Sequence, residues 1–195
     1  MKKISWLVLA LILAAGCATF QKTYIPPAFY LEEPPSLELA KLTLNERLAF
    51  EQGWADLKKG NIEGARREFL KLGQNHAYFN LGEGYCRLYE GEAEAAEAFF
   101  LKAAELNPDL TPARIGLATI YEEKNDENRL FVQLREILKR EPENSWAKPK
   151  YEELQGRITN NLIKEAIGLL NQNKKEEAQQ VLLKALFYSP ESREA

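Results

Sequence analysis

From Leu44 onward, apolar residues return every three or four positions, the period that gathers them on one face of a helix, and no stretch alternates apolar with polar residues as a half-buried strand would. Punctuation is regular. Gly60-Asn61, Gly73 to Asn75, Gly91, Asn107-Pro108, Asn125-Asp126, Pro142 to Ser145 and Asn173 cut this region into helical segments of roughly 12–15 residues, with one longer stretch near the end. Thr43-Leu44-Asn45-Glu46 has the capping-box pattern of a helix start. Thr111-Pro112 is a start with proline in the first turn, and Asn173-x2-Glu176 reads as another capping box. Upstream, Pro26-Pro27 and Pro34-Pro35 forbid helix at and before each pair, so residues 17–43 are expected to form an extended tether. Tyr24, Ile25, Phe29, Tyr30 and Leu31 are too apolar for a linker that only solvates itself, and part of the tether is expected to dock.

The segments repeat. Gly91, Ala96, Phe100, Ala103 and Pro108 form a frame that returns 34 residues later as Asn125, Leu130, Leu134, Ile137 and Pro142, preceded by Leu117-Ala118-x2-Tyr121. An upstream copy has Gly53, Gly60, Ala65 and Phe69, with Leu72 at the later alanine position. A downstream copy has Ala166, Asn173, Ala178, Leu182, Ala185 and Pro190, delayed by a surplus around Ser145–Arg157 that is expected to lengthen its first helix. Small residues let two helices approach, and the aromatic fills the gap at the next layer. These positions resemble the tetratricopeptide repeat family. The resemblance implies an all-α fold, a short tetratricopeptide-type helical solenoid of about four helix pairs over residues 44–192. The repeats would span about 45–76, 77–110, 111–144 and 159–192, with a helical insertion at 145–158.

The first residues change the picture of where the chain acts. Lys2 and Lys3 precede an unbroken apolar run, Ile4–Ala15, the order of an export signal. About a dozen apolar residues make only ~18 Å of helix, short of a ~30 Å hydrocarbon core. Leu13-Ala14-Ala15-Gly16-Cys17 is similar to the lipobox of bacterial lipoproteins, with Ala14 where that family prefers leucine. The resemblance implies a signal peptide over residues 1–16, a lipid on Cys17 that anchors the chain to a membrane, and, with Ala18 following, an outer-membrane location facing the periplasm.

The whole chain carries 26 basic and 29 acidic side chains. Without Lys2 and Lys3 the balance becomes 24 against 29, net −5, which disfavours nucleic acid as a partner. Cys86 then stands alone beside a lipidated Cys17, so no internal disulfide is expected, and its neighbours Leu81, Tyr85 and Leu88 suggest a buried thiol.

Candidate chemistry is sparse. His76 has no second histidine or cysteine at ligand spacing, and Glu90, Glu92, Glu94 and Glu97 begin a repeat helix, where acids favour the macrodipole. With no hydrolase, phosphate-loop, dinucleotide or zinc-protease motif, the chain is read as a non-enzyme without cofactor or metal. In the tetratricopeptide family the first helices line a concave groove. Aligned on Gly53, Gly84 and Ala118, the groove candidates are Phe50, Trp54, Leu57, Tyr78, Leu81, Tyr85, Tyr89, Ile115 and Thr119. Gly82 in place of Gly84 would instead turn Glu83 and Cys86 inward. Such an aromatic groove suits a hydrophobic peptide or helix of a protein partner, unless the rings only pack between helices or the groove is filled by the chain's own Phe29-Tyr30-Leu31. Leu183 and Phe187, one turn apart in the last helix, form a second contact patch for a homodimer or a complex, with packing against the lengthened helix as the alternative. The expected role is an envelope adaptor or scaffold, with an obligate structural subunit of an envelope complex as the alternative.

Overall fold

The computed structural model describes residues 31–34 and 36–189, so the expected signal peptide, Cys17 and Phe29-Tyr30 lie outside the described residues. What divides these residues into pairs is a left-handed backbone position repeated in each. Gly60, Gly91, Asn125 and Asn173 have φ of 76°, 78°, 54° and 59°, and each stands two residues beyond the first helix of a pair. Glycine adopts this conformation freely and asparagine more readily than other side chains, so the helix stops there and reverses.

A four-residue helix α1 (Ser36–Leu39) leads into four antiparallel pairs: α2 (Leu44–Lys58) with α3 (Ile62–Leu70), α4 (Ala77–Tyr89) with α5 (Ala93–Leu106), α6 (Thr111–Glu123) with α7 (Glu127–Arg140), and α8 (Ala147–Asn171) with α9 (Lys175–Tyr188). From α2 onward each helix packs on the next, and the first helices of the first three pairs also touch in succession, which makes the described residues an all-α solenoid of tetratricopeptide type. None of these helices is long and apolar enough to cross a membrane.

The starts follow local chemistry. Thr43 and Glu46 form the reciprocal capping box, and Asn61 and Asp126 accept from the backbone N–H groups of Gly64 and Arg129 at 3.1 and 3.0 Å. Pro112 occupies the first turn of α6. Asn173 departs from expectation. Its left-handed backbone closes α8, so it cannot also cap α9, which begins after Lys174 with no side-chain cap. The surplus before the last repeat is absorbed by α8, a continuous helix of 25 residues.

Two phenylalanines lock successive pairs together. Phe69 on α3 fills the space beside Gly53 of its own pair and Gly82 of the next, and Phe100 on α5 does the same with Gly84 and Gly116. Both alignments of the second repeat are therefore used at once: Gly84 meets its own partner helix, Gly82 meets the preceding pair, and Glu83 and Cys86 are buried beside them. Both rings are fully buried, each worth about 1.5–3 kcal/mol of transfer free energy. The fit leaves no room for a methyl group. A Cβ on Gly116 would stand 2.5 Å from the Phe100 ring, so Gly116→Ala is expected to cost about 1–3 kcal/mol and lower Tm by several degrees. Phe100→Leu in the same chain should recover part of that loss in thermal melts. An unchanged Tm for Gly116→Ala would refute the wedge.

Candidate interaction surface: the concave face and its strap

The aromatic residues assigned to a groove form a continuous internal spine. Phe50 stacks on Trp54 at 5.3 Å and meets Tyr78 edge-on at 5.0 Å; Trp54 meets Tyr85 at 5.4 Å, and Tyr85 meets Phe100 at 4.8 Å. The Tyr85 hydroxyl donates to the Pro112 carbonyl at 2.9 Å, which carries the spine into the third pair. Phe50, Leu57, Tyr78, Leu81, Tyr85, Ile115 and Thr119 are buried, Trp54 keeps only 3% of its surface exposed, and Tyr89 is partly buried against the same core. What the sequence suggested as a free lining is thus largely inter-repeat packing surface. A first helix must bind its own partner and the neighbouring pairs, and these rings supply those contacts.

Over the first helix lies an extended segment of the chain itself. Leu31 packs on the core and Pro34 is buried. Pro34, Glu33 and Leu39 from the leading segment face Phe50, Trp54 and Lys58 of α2 across a pocket of about 270 Å³. Glu33 pairs with Lys58, while the neighbouring Glu32 accepts from the side-chain amide of Asn144 at 3.4 Å. Asn144 is itself fixed, because its Oδ1 accepts from the N–H groups of Trp146 and Ala147 at the start of α8 and its amide also donates to Glu141 at 2.8 Å. Adjacent residues thus tie the first helix of the array to the corner before the last pair. Burial raises the Glu32 carboxyl above its ordinary range, with the Asn144 hydrogen bond opposing it and Glu141 adding to it. The apolar character of the tether pointed towards such docking, but of Tyr24, Ile25, Phe29, Tyr30 and Leu31 only Leu31 falls among the described residues.

The acidic cluster of the second repeat is divided between two ionic networks. Glu83, buried, accepts from Arg66 at 2.9 Å and Arg87 at 3.0 Å; Arg66 also forks onto Glu90, and Arg87 reaches Glu92 at 2.7 Å. Glu97 accepts from Arg129 at 2.7 Å and from Lys124 and the Tyr121 hydroxyl at 3.0 Å, while Arg129 lies 4.4 Å over the Tyr121 ring. These carboxylates join helices. Lys124 also reaches Glu94 at 3.4 Å. His76 caps α4 by accepting from the Tyr78 N–H at 3.3 Å. Burial pushes the Cys86 thiol up to about 12, so it is not a thiolate at neutral pH.

The far end of the array differs from the interior. Leu182 stands at the frame position of Phe69, Phe100 and Leu134, all fully buried, yet 41% of its surface is exposed, because no described helix follows α9. Leu183 and Phe187 are 57% and 54% exposed, and Ile163, Ile167 and Leu170 of α8 are exposed as well. Phe187 is partly engaged, lying 5.3 Å from Tyr188 and under the Arg135 guanidinium at 5.2 Å. A polar cleft of about 560 Å³ lies between the α6–α7 turn and the last pair, lined by Asp126, Asn128, Asn161 and Lys184 among others.

No protein-family model matches the chain. It is 33% identical over 101 residues to an uncharacterized protein, ycf37, of Cyanophora paradoxa, a match covering 48% of this chain and 59% of that relative's length. Two crystal structures of MamA are similar in fold. One has a TM-score of 0.47 at 15% identity, covering 82% of this chain and 87% of MamA, and the other 0.39 at 14%, covering 77% and 94%.

The spine and the ionic networks can each be tested by unfolding. Trp54→Ala and Tyr85→Ala are each expected to cost about 3–5 kcal/mol in denaturant unfolding, as buried ring deletions do; a change below about 1 kcal/mol would return these rings to the surface. Glu90 is held below its ordinary value of 4.5, chiefly by the Arg66 hydrogen bond. Its contribution is therefore present above that pH and fades as pH falls below it, so the melting curves of Glu90→Gln and the parent should differ at neutral pH and converge in acid. A gap that widens in acid would contradict the pairing.

Proposed function

We propose that this chain is a protein-interaction scaffold of the bacterial cell envelope, anchored by lipid at Cys17 and presenting its concave face to an extended or helical segment of a protein partner. The observation that carries the reading is the lodging of the extended segment Leu31–Pro34 against α2, with its side chains held by Lys58 and Asn144. A surface that seats one extended chain in this way is suited to another. Catalysis has no part in the proposal, since Glu83, Glu90 and Glu97 serve to join helices and Cys86 is a buried thiol.

Support for the anchor comes from the sequence: Lys2-Lys3, the apolar run Ile4–Ala15, and the lipobox-like residues ending at Cys17. An outer-membrane position facing the periplasm belongs to the same proposal. The apolar end built from Leu182, Leu183 and Phe187 favours a second reading, in which the chain is an obligate subunit whose end face is permanently covered in a homodimer or larger complex. Sedimentation of the lipid-free chain separates the two, because a scaffold stays a defined monomer or dimer and an orphaned subunit aggregates.

The test in cells uses a photo-crosslinking residue at Ala55, beside the strap pocket, compared with one at the exposed Glu63. Position 55 should give a discrete adduct with a second protein in native membranes and position 63 none. Failure of both positions would remove the concave face as a partner surface. Cys17→Ser should release the chain into the soluble fraction and abolish labelling by a fatty-acid analogue. Retention of either property would remove the anchor.

A further inference from the structure

The strap makes more contacts than a passing linker needs, and the wrong ones for a permanent part of the core. Its two carboxylates reach opposite parts of the solenoid, Glu33 to Lys58 on α2 and Glu32 to Asn144 before α8, separated in sequence by 25 and 112 residues from their partners. Two adjacent residues extend by no more than about 7 Å, so one short segment joins α2 to the corner before α8 instead of following one helix. Its holding groups are an ion pair between half-exposed side chains and an amide–carboxylate bond of 3.4 Å, both weak, and Leu31 is only partly buried. The fit is also incomplete beneath it. Among the described residues, the indole N–H of Trp54, in the wall of the strap pocket, is buried without an acceptor, and the Tyr78 hydroxyl, on the ring that packs edge-on against Phe50, is buried without a hydrogen-bond partner. A buried donor left unmade is unfavourable, and the backbone carbonyl of an extended peptide is the group that would accept from it.

We propose that Leu31–Pro34 is a displaceable strap, a self-ligand that holds the concave groove closed against an extended, acidic, proline-containing peptide of its own chemistry. The inference rests on the reading of the concave face as a binding surface and specifies its ligand. The ligand's acidic pair takes Lys58 and Asn144, its proline takes the pocket walled by Phe50 and Trp54, and its backbone supplies what the strap does not. Only residues 35–43 connect the strap to α2, so its local concentration is in the millimolar range and a partner must outcompete it. Because the strap lies just downstream of the segment that leads from Cys17, leaving the groove and changing the reach from the anchor are one event.

The test uses the whole chain in detergent and a fluorescein-labelled peptide copying residues 28–38. In the parent the strap should weaken binding of the peptide. The full chain carrying Leu31→Asp and Glu33→Lys loses the apolar contact and sets a cation against Lys58. Binding by anisotropy should then tighten about tenfold, as expected when a nine-tenths closed groove is opened. In the parent, zero-length carbodiimide coupling should join Glu33 to Lys58 within one chain, and excess unlabelled peptide should suppress that product. Equal peptide affinity for parent and variant overturns the strap and leaves the groove standing. No binding to either overturns both. A Glu33–Lys58 product joining two differently isotope-labelled chains overturns the strap in favour of exchange between copies.

Discussion

The architecture depends on one close approach, that of two phenylalanine rings to glycines that have no side chain to keep them away. Phe69 against Gly53 and Gly82, and Phe100 against Gly84 and Gly116, fix both the spacing within a pair and the spacing to the next pair. One ring serves two junctions, so intra-repeat and inter-repeat packing cannot vary independently. This is why a chain built mostly of helices of 15 residues or fewer, marginal on their own, holds a defined stacking. Where the frame position carries Leu182 and no described helix follows, the same site becomes exposed apolar surface.

The consequence for function is a division of the aromatic residues. Rings that sequence periodicity places on the concave side are taken up by the spine from Tyr78 through Phe50, Trp54 and Tyr85 to Phe100. Outside that spine lie Lys58, the corner at Asn144, and the pocket where Pro34 lies. Charge follows the same division. Arg66, Arg87, Lys124 and Arg129 are engaged by Glu83, Glu90 and Glu97, whereas Lys58 meets the strap.

Much of this fold was legible in the residues because its determinants are local or strictly periodic. The turn residues Gly60, Gly91 and Asn125, the capping box at Thr43 and Glu46, and the alanine–phenylalanine frames each announce themselves within a few positions. Asn173 was misread because one asparagine suits two roles, a helix cap and a left-handed stop, and only the position of the preceding helix decides between them. The second repeat carried two glycines at competing positions, and the choice between Gly82 and Gly84 dissolved because each faces a different phenylalanine. The candidate site was less legible. Exposure of an aromatic in a first helix depends on contacts from three directions, and the strap has no periodicity, with partners 25 and 112 residues away.

The most direct test of the central constraint is the magnetic environment of the glycines themselves. In a nuclear magnetic resonance spectrum, protons on a carbon pressed against an aromatic face shift strongly upfield. The Hα resonances of Gly53, Gly82, Gly84 and Gly116 should therefore lie well upfield of those of Gly73 and Gly91, which have no ring beside them. Through-space contacts should join Gly53 and Gly82 to Phe69, and Gly84 and Gly116 to Phe100. Ordinary glycine shifts at all four positions, without contacts to either ring, would contradict the account.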